Sequence, residues 1–578
     1  MTDAVVNVPM GAMVSSDADG CMLSLSMELN FAPCGLLSPR LVDGDISERT
    51  PPKFPSSYIA KAIMFIPYSE IMEPFQAWYD ENTKSSRVDY YGGMVKTYQL
   101  ANNGKYGRML KVAPVTTESS LNVKTCLALN GTQTLQISLQ SVLPDIKDYK
   151  YMGQEVVRGV EAEKWQFKER SEDKITKYTL YVSYTASTLN VSQQIPVPVK
   201  FVMKGMNAVF GSHFDHYWIE YESFTDEKPD PTVFAVEKQM QCQGFPGPGI
   251  DHYYTFNPMA EFFGSGQDFL DKSFEQYKRT HKRDYSDLTE HEYRKEVFKH
   301  NARYIRSHNR ANLSYKLAVN HLADRTQVEL KALNGRKYTP GFNGGKPFPY
   351  STKKEIRKAP ASFDWRIYGA VTPVKDQSVC GSCWSFGTTG AIEGEYFVHS
   401  GILYRLSQQA LIDCSWGFGN NGCDGGEDFR AYEWMMKHGG LPVEDEYGPY
   451  FGQDGFCHSQ NVTLVAPITG FVNVTPNDES ALKVALLKHG PISVAIDASH
   501  RSFSFYSHGV YFEPECGNSP ESLDHAVLLV GYGKLYEKDY WLVKNSWSVY
   551  WGNAGYVLMS PKSNNCGVMT SPTYATFK

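Results

Sequence analysis

Gln377-Ser-Val-Cys-Gly-Ser-Cys-Trp-Ser-Phe386 leads directly into a helical pattern. The pattern covers residues 383–399 and is ended by Gly401, so Cys383 is predicted at the N-terminus of a helix. The helix dipole and the unpaired N–H groups there favour a negative sulfur. Because the thiolate is the nucleophilic form of cysteine, this stretch predicts a reactive thiol.

Two downstream residues are the expected partners of that thiol. His525 follows Cys383 by 142 residues and Asn545 by 162. An imidazolium beside the sulfur stabilises the thiolate and later protonates a leaving amine. Asn545 is expected to fix the orientation of the His525 ring, with Trp547 shielding that contact from water.

An oxyanion site is predicted from the same stretch. Gln377 precedes the nucleophile by six residues and offers its side-chain amide to a developing negative oxygen. The backbone N–H of Cys383 is the expected second donor, and losing one such donor typically costs about 10² in rate or more.

The main alternative for these residues is a zinc site. Cys380 and Cys383 form a C-x₂-C pair, but a zinc site needs a matching second pair, and none follows. The sequence therefore predicts no metal and no cofactor.

From about Ala359 to Lys578 the chain resembles the papain family of cysteine proteases, in its cathepsin L-like branch. Besides the stretch around Cys383, the resemblance rests on four further motifs: Asp364-Trp-Arg366, Ala370-Val-Thr-Pro-Val-Lys375, Cys423-Asp-Gly-Gly426 and Gly490-Pro491. It implies an α+β fold in which a helical lobe and a β-rich lobe enclose the active cleft, and it implies an endopeptidase.

The resemblance also implies which residues bind substrate. These are Gly425, Gly426, Glu427, Asp428, Ala495, Leu523, Asp524, Ala526, Trp547 and Ser571. Glu427 and Asp428 stand where cathepsin L-like enzymes usually carry apolar residues. A carboxylate facing a partly desolvated pocket attracts a cation, so we hypothesise that the second subsite accepts Arg or Lys. The alternative is that both carboxylates point to solvent.

The cysteines indicate an oxidising compartment. Seven of the 11 lie between Cys380 and Cys566, which suggests three disulfides and one free thiol. The resemblance implies the pairs Cys380–Cys423, Cys414–Cys457 and Cys516–Cys566, which leaves Cys383 free. We also pair Cys126 with Cys242, the only two cysteines near each other in the middle of the chain.

An inhibitory prosegment is predicted at residues 265–335. The region 268–310 is charged and helical, and a set spaced by three and four residues lies along one side of it. This spacing resembles the prosegment motif of the cathepsin L-like branch, which runs backwards through the cleft and keeps the enzyme latent. The set is Glu290, Arg294, Phe298, Asn301, Ile305 and Asn309. A second motif follows at Ala318, Asn320, Leu322 and Asp324, with Ala318 and Leu322 where Gly and Phe are usual.

The rest of the chain divides into three parts. Residues 1–53 are expected to be disordered, and no signal peptide is visible in them. Residues 54–245 carry short Val-, Tyr- and Thr-rich runs separated by turns, which predict an antiparallel β-rich domain. Residues 336–358 form a basic linker, and activation cleavage is expected within 345–360, releasing a catalytic chain of about 220 residues.

Composition excludes several classes of protein. A net charge of −6 with a pI of about 6.2 gives no footprint for nucleic acid, and no apolar run is long enough to span a membrane. A lysosomal or secreted glycoprotein is expected. The candidate glycosylation sites are Asn130, Asn190, Asn312, Asn461 and Asn473.

Two further alternatives concern the β-rich domain. It could block one end of the cleft and make the enzyme an exopeptidase, as in cathepsin C, but its sequence offers no blocking segment. It could instead be a lipid- or protein-binding module with the protease secondary. The overall layout resembles the two-chain cathepsin L-like proteinases of insect blood cells, which implies an N-terminal chain retained after cleavage.

Overall fold

The fold is given by a computed structural model of the chain. The described residues are 49–116, 120–171, 174–207, 212–237, 239–244, 251–263 and 267–578. The disorder expected for residues 1–53 therefore lies, up to residue 48, outside the described residues.

The N-terminal part forms a 12-stranded sheet in the order β12-β6-β5-β4-β3-β2-β1-β11-β10-β9-β8-β7. Its strands are β1 (Ser57–Ile66), β2 (Ile71–Asp80), β3 (Ser85–Tyr90), β4 (Val95–Leu100), β5 (Arg108–Val115), β6 (Val123–Asn130), β7 (Lys150–Val157), β8 (Val160–Ser171), β9 (Lys174–Ala186), β10 (Gln194–Asn207), β11 (His213–Thr225) and β12 (Cys242–Gly244). The predicted antiparallel pairing holds for neighbouring strands except β6 and β12, which run parallel.

One face of this sheet is a packed core. Alternate side chains of the strands, among them Trp165, Phe201 and Ile219, are buried together, as the period of two in a strand requires. Residues 142–149 and the helix Ala260–Phe263 cover that face. A disulfide between Cys126 and Cys242 joins the two strands at the sheet edge.

Helices follow the sheet: α1 (Asp251–Phe256), α2 (Ala260–Phe263), α3 (Gln267–His281) and α4 (Leu288–Arg310), then β13 (Tyr315–Leu317) and α5 (Gln327–Lys331). The predicted helical region 268–310 is divided into two helices, because the chain breaks between α3 and α4. Lys282 has a φ of +50°, which a helix cannot accommodate, and the Asp287 side chain accepts the Glu290 N–H to cap the new helix.

The prosegment packs into the same core as the β-rich lobe of the peptidase. Phe298 and Ile305 of α4 are buried with Phe274 of α3. That cluster continues into Trp547 and Trp551 of the peptidase. The predicted one-sided spacing therefore buries an apolar stripe, and the stripe holds α4 on the enzyme.

The remaining elements belong to the linker and the peptidase. They are β14 (Lys346–Pro347), α6 (Thr352–Glu355), β15 (Phe363–Asp364), α7 (Cys383–Ser400), α8 (Gln408–Cys414), α9 (Asp428–His438), β16 (Leu441–Pro442), α10 (Glu444–Tyr447), β17 (Leu464–Val465), β18 (Gly470–Asn473), α11 (Glu479–His489), β19 (Ile492–Ile496), α12 (Arg501–Ser504), β20 (Tyr506–Tyr511), β21 (His525–Leu535), β22 (Lys538–Lys544), β23 (Tyr556–Met559) and β24 (Thr573–Thr576).

The peptidase sheet is extended at both ends by residues outside the peptidase. Its order is β13-β20-β23-β22-β21-β19-β24-β18-β14, with β15 pairing with β21. β13 comes from the prosegment and β14 from the predicted linker. The linker thus has some regular structure, because Lys346 pairs with Val472 and the short helix α6 follows, although Lys346 itself is exposed.

Helix α7 lies between the two lobes. Trp384 and Ile392 are buried among the helices of one lobe, whereas Ala391 packs on Leu528 of the sheet. Gly401 ends α7 with a φ of +78°, as the sequence predicts. This position puts the N-terminus of α7 at the junction of the lobes.

Candidate active site

Cys383 is the first residue of α7 and is completely buried. It is the free cysteine among the described residues, because the four predicted disulfides are all present in the structure: Cys126–Cys242, Cys380–Cys423, Cys414–Cys457 and Cys516–Cys566. The backbone N–H of Ala526 donates to the Cys383 sulfur at 3.4 Å. The start of β21 therefore lies directly against the thiol.

His525, the first residue of β21, is oriented by two contacts. Its Nε2 lies 2.8 Å from Asn545 Oδ1, and its ring packs on Trp547 with centroids 4.9 Å apart. The Ser546 N–H donates to the same Asn545 oxygen at 2.8 Å, which identifies that atom as the acceptor. Nε2 therefore carries the proton, and Nδ1 has a free lone pair. His525 Nδ1 is buried and has no hydrogen-bond partner among the described residues.

Gln377 is held so that its amide points into the cleft. Its Oε1 accepts a hydrogen bond from the Ser546 hydroxyl at 2.7 Å. Its Nε2 donates to the carbonyl oxygens of Cys380 and Leu333, each at 2.8 Å. Leu333 belongs to the prosegment, so a prosegment carbonyl occupies the position predicted for the oxyanion.

The thiol and the imidazole are both driven towards their neutral forms in this precursor. Burial raises the pKa of the Cys383 thiol to about 11. Burial also lowers the pKa of His525 to about 4, against the hydrogen bond that His525 donates to Asn545, which favours the charged ring. The thiolate–imidazolium pair expected from the sequence is therefore not the state of the covered site, because the prosegment keeps water out.

The prosegment pairs with the cleft like a strand. Gly426 N–H donates to the Gly335 carbonyl and Lys337 N–H to the Gly426 carbonyl, both at 2.9 Å. The pairing of Arg336 with Gly426 is parallel. This direction agrees with the reversed path that the family resemblance implies.

Further contacts of this segment involve predicted substrate-binding residues. Arg336 N–H donates to the Asp524 carbonyl, and Asn334 donates to the Asp524 carboxylate, both at 2.9 Å. A Cβ on Gly425 would lie 2.5 Å from the Gly335 carbonyl oxygen, so the approach requires glycine there. Residues 335–337, assigned at least in part to the linker by the sequence, lie in the cleft.

A cavity of about 290 Å³ adjoins this segment. It is lined by Arg336, Glu427, Asp428, Ala495, Ala526 and Ser571, among others. The Arg336 guanidinium donates to the carbonyls of Pro520 and Leu523 at 2.9 and 2.8 Å. The structure thus brings most of the predicted subsite residues together around a basic side chain. Leu523 contributes its backbone carbonyl, which accepts from Arg336. Trp547 is not among the residues that line this cavity and packs on the His525 ring.

The two acids of this cavity differ. Glu427 is engaged by Arg430 at 3.0 Å and by the Thr339 hydroxyl at 2.6 Å. Asp428 accepts from the Thr573 hydroxyl at 2.6 Å, and burial raises its pKa against that hydrogen bond and the charge of Arg336. Neither carboxylate simply points to solvent.

The metal alternative fails on the same geometry. Cys380 is bonded to Cys423, so it cannot ligate a metal together with Cys383. Among the described residues one other group, Asp497, His500 and Cys516, is close enough for a metal, but Cys516 is in a disulfide.

Sequence reasoning missed Arg336, Leu333 and Thr573 as parts of the site. Leu333 and Gly335 act through their backbones, which leave no residue-type signal. Arg336 looked like one more basic linker residue, and Thr573 reaches Asp428 from 145 residues away.

The rest of the prosegment binds the peptidase through polar contacts as well. Asn320 donates to the Ser504 carbonyl at 2.9 Å. Asn301 donates to the carbonyls of Ala323 and Arg325, and its Oδ1 accepts from Arg501 Nε at 3.0 Å. These contacts explain why Asn stands at position 301 of the first prosegment motif and at position 320 of the second.

Comparison with known proteins agrees with this geometry. Residues 359–576 match the model of the papain family cysteine proteases, and residues 274–330 match the cathepsin propeptide inhibitor domain. Digestive cysteine proteinase 1 of Homarus americanus is 44% identical over 321 residues, which are 54% of this chain and 97% of that protein. Cathepsin L of Sarcophaga peregrina is 43% identical over 324 residues, covering 54% of this chain and 94% of that protein.

One solved structure that is similar to this chain is that of digestive procathepsin L 3 from the larval midgut of Tenebrio molitor. It is 38% identical, with a TM-score of 0.48, covering 54% of this chain and 99% of that chain. The sequence matches above establish that this chain belongs to the papain family of cysteine proteases. Within that family it is a latent precursor, since the inhibitory prosegment is part of the same chain.

The close approach of Gly335 to the peptidase backbone generates a prediction. A Cβ at Gly335 would lie 1.6 Å from the Gly381 carbonyl oxygen, so Gly335→Ala forces the prosegment out of the cleft. With an overpacking cost of about 1–3 kcal/mol, iodoacetamide should alkylate Cys383 about tenfold faster or more in the uncleaved chain at neutral pH.

The control is Gly417→Ala, where a Cβ meets nothing within 4 Å. It should leave the alkylation rate unchanged. Equal rates for Gly335→Ala and the parent chain would mean that this segment does not cover the thiol.

Proposed function

We propose that the peptidase part cleaves internal peptide bonds through Cys383, with His525 as base and acid, Asn545 as the orienting residue and Gln377 as an oxyanion donor. The observation that carries this proposal is the free Nδ1 lone pair of His525, whose Nε2 is held by Asn545. The next residue, Ala526, donates its N–H to the Cys383 sulfur, so the imidazole lies beside the thiol. Once the prosegment leaves, water returns and the neutral pair can become thiolate and imidazolium.

The chemical steps follow from these positions. The Cys383 proton passes to His525 Nδ1, and the sulfur attacks the substrate carbonyl carbon. Gln377 Nε2 and the Cys383 N–H stabilise the resulting oxyanion. The C–N bond breaks as His525 protonates the amine, which leaves a thioester. Water, deprotonated by His525, then hydrolyses the thioester and releases the acid and the free thiol.

Endopeptidase activity is favoured over exopeptidase activity by the lining of the cavity. Its described lining residues come from 336–343 and from the peptidase, with none from the β-rich domain. We also propose the domain boundaries that the sequence predicts, which are 54–245, 265–335, 336–358 and 359–578.

A lysosomal or secreted location is supported by the four disulfides. Asn130, Asn190 and Asn461 are exposed and suit glycosylation. Asn473 suits it less, because it exchanges hydrogen bonds with Asn343, and Asn312 less, because its side-chain oxygen is buried. Among the described residues, none of the helices combines the length and apolarity needed to cross a bilayer.

Removing the nucleophile tests the proposal. Cys383→Ala should abolish hydrolysis of peptide substrates and labelling by thiol-directed epoxides, with an unchanged circular dichroism spectrum. His525→Ala should lower kcat/KM by about 10²–10⁴-fold, and Asn545→Ala should be milder, because orienting a base matters less than having one. Turnover retained in pure Cys383→Ala protein would disprove the assignment of Cys383 as the nucleophile.

Acid activation is proposed to depend on buried histidines of the prosegment. Burial, together with the charges of Arg283, His281 and Arg325, lowers the pKa of His321 to about 3, and Tyr550 of the peptidase packs near its ring. The released prosegment protonates His321 near its ordinary pKa, so release is favoured increasingly as the pH falls from about 6.5 towards 3.

Carboxylates contribute at lower pH. Burial alone would raise the pKa of Glu329, but hydrogen bonds from Arg294 and Thr326 lower it to about 2. Its stabilising contribution is complete above its unfolded pKa and is lost only as the pH falls towards 2. Protonation of the prosegment salt bridges is therefore not the first event on mild acidification.

His321→Phe should require a more acidic pH for activation. At pH about 5 the parent loses about 2 kcal/mol of prosegment binding through His321, at 1.4 kcal/mol per pKa unit, and the variant loses none of it. The midpoint is measured as peptide hydrolysis against pH, with exposed His399→Phe as the control. An unchanged midpoint in His321→Phe would rule out this histidine as a sensor.

The second subsite is proposed to accept basic side chains, because Arg336 already occupies that cavity beside Asp428. In a peptide library, wild type should cleave peptides that place Arg or Lys in that subsite about fivefold better than Asp428→Met does, since such pairs contribute up to ~1 kcal/mol. The preference should weaken as acid protonates Asp428, whose pKa is raised.

Glu427→Gln is the matched control for that experiment. Its carboxylate is already neutralised by Arg430, so the variant should keep the basic preference. If Asp428→Met leaves the profile unchanged, or Glu427→Gln alters it equally, Asp428 is not the determinant.

A further inference from the structure

Helix α4 of the prosegment is buried from two sides. One side packs on the peptidase through Phe298 and Ile305. The other side carries Arg303, Ser307 and Arg310, which face the β-rich domain. Both arginine side chains are largely buried, with exposed fractions of 9% and 13%.

Glu73 of β2 binds one end of that second side. Its side chain is fully buried, and its two oxygens accept from Arg310 Nε and Nη2, each at 2.5 Å. Ser307 donates to the same carboxylate at 2.9 Å, and Tyr91 OH lies 2.8 Å from Ser307 Oγ. Among the described residues, Arg310 is the cation that neutralises this carboxylate.

A second buried network binds the middle of α4. Arg303 Nη1 donates to Asp215 of β11 at 2.8 Å, and its Nε donates to Glu261 of α2 at 2.5 Å. Burial alone would raise the pKa of Asp215, but the Arg303 charge lowers it below its usual value. Arg306 lies 3.3 Å from the same Glu261.

These carboxylates need the prosegment. A buried carboxylate without a cation is strongly unfavourable, and where α4 packs on the sheet Arg310 and Arg303 supply the cations for Glu73 and Asp215. The domain therefore has a surface whose polar groups are satisfied by α4.

Direct polar contacts between the β-rich domain and the peptidase are few by comparison. Arg501 of α12 reaches the Tyr68 carbonyl at 3.3 Å and Glu70 at 3.5 Å. The same Arg501 also binds Asn301 of α4. The principal partner of the β-rich domain is thus the prosegment helix.

We propose that the β-rich domain is a prosegment-holding domain that forms one inhibitory body with α4. By ordering α4 before it meets the enzyme, the domain removes part of the entropy cost of inhibition. A cut within the linker then leaves the inhibitor in place, still folded on its own domain. This inference deepens the proposed function, since it concerns the regulation of the same site.

The test uses the full chain with Cys383→Ala, in which nothing is processed, and measures amide hydrogen exchange. Glu73→Gln, and separately Arg310→Gln on the prosegment side, should raise exchange in α4 roughly 100-fold, as expected when one partner of a buried pair is removed. Exchange in β7 and β8, at the end of the sheet away from the contact, should not change. The double variant should cost less than the sum of the two single variants.

The control is Lys174→Met, which breaks ion pairs between β9 and Glu292 and Glu296 of the same helix, and in these pairs Lys174 and Glu292 keep 27% and 35% of their side-chain surface exposed. It should change α4 exchange less than threefold, since ion pairs that water reaches contribute little. The same variants with Cys383 intact should show higher activity of the uncleaved chain at neutral pH for Glu73→Gln and Arg310→Gln only.

Protected α4 in both buried-pair variants would overturn the proposal, and so would additive effects in the double variant. If Glu73→Gln loses protection throughout the chain, the β-rich domain itself has been disrupted. The proposal is then judged on Arg310→Gln, which leaves the sequence of that domain unaltered. Because exchange is read in an inactive chain, a failure of this proposal is distinguishable from a failure of the catalytic assignment.

Discussion

The peptide from Leu333 to Gly335 lies across the Cys383 thiol, and latency depends on this contact. The Leu333 carbonyl takes the Gln377 amide, while the Gly335 N–H points at the sulfur. The same peptide excludes water, which keeps both the thiol and the His525 imidazole neutral. One short segment thus blocks the oxyanion position, covers the nucleophile and removes the charge on which its reactivity depends.

That segment is held by structure distant from the cleft. The carbonyl and amide groups of residues 333–337 follow helix α4 and the strand β13, which adds to the edge of the peptidase sheet. Asn301 of α4 meets Arg501 of the peptidase, and Arg501 also reaches the β-rich domain. The three parts of the chain therefore share one contact network, and the described residues from Thr50 onward form a single compact unit.

The chemistry of the site was more predictable from sequence than its electrostatic state. Cys383 and His525 are recognisable because each residue type has one chemical role at that spacing. Their pKa shifts depend on the covering prosegment backbone, which has no residue-type signature. The Glu73–Arg310 pair joins residues 237 positions apart, and no local pattern indicates it. The break between α3 and α4 was missed because Lys282 is not a residue that commonly ends a helix.

The parallel direction of the prosegment at Gly426 has a kinetic consequence. A chain bound in reverse presents its peptide bonds to its own nucleophile in the wrong orientation, so a molecule cannot cut the segment that fills its own cleft. While this segment fills the cleft, the linker cannot reach the nucleophile either, so we expect the first cut to be made by another molecule that is already open, and each molecule opened in this way to open others. Activation should therefore show a lag that shortens as the precursor becomes more concentrated. Concentrating the precursor in a small compartment would therefore determine how soon activation begins.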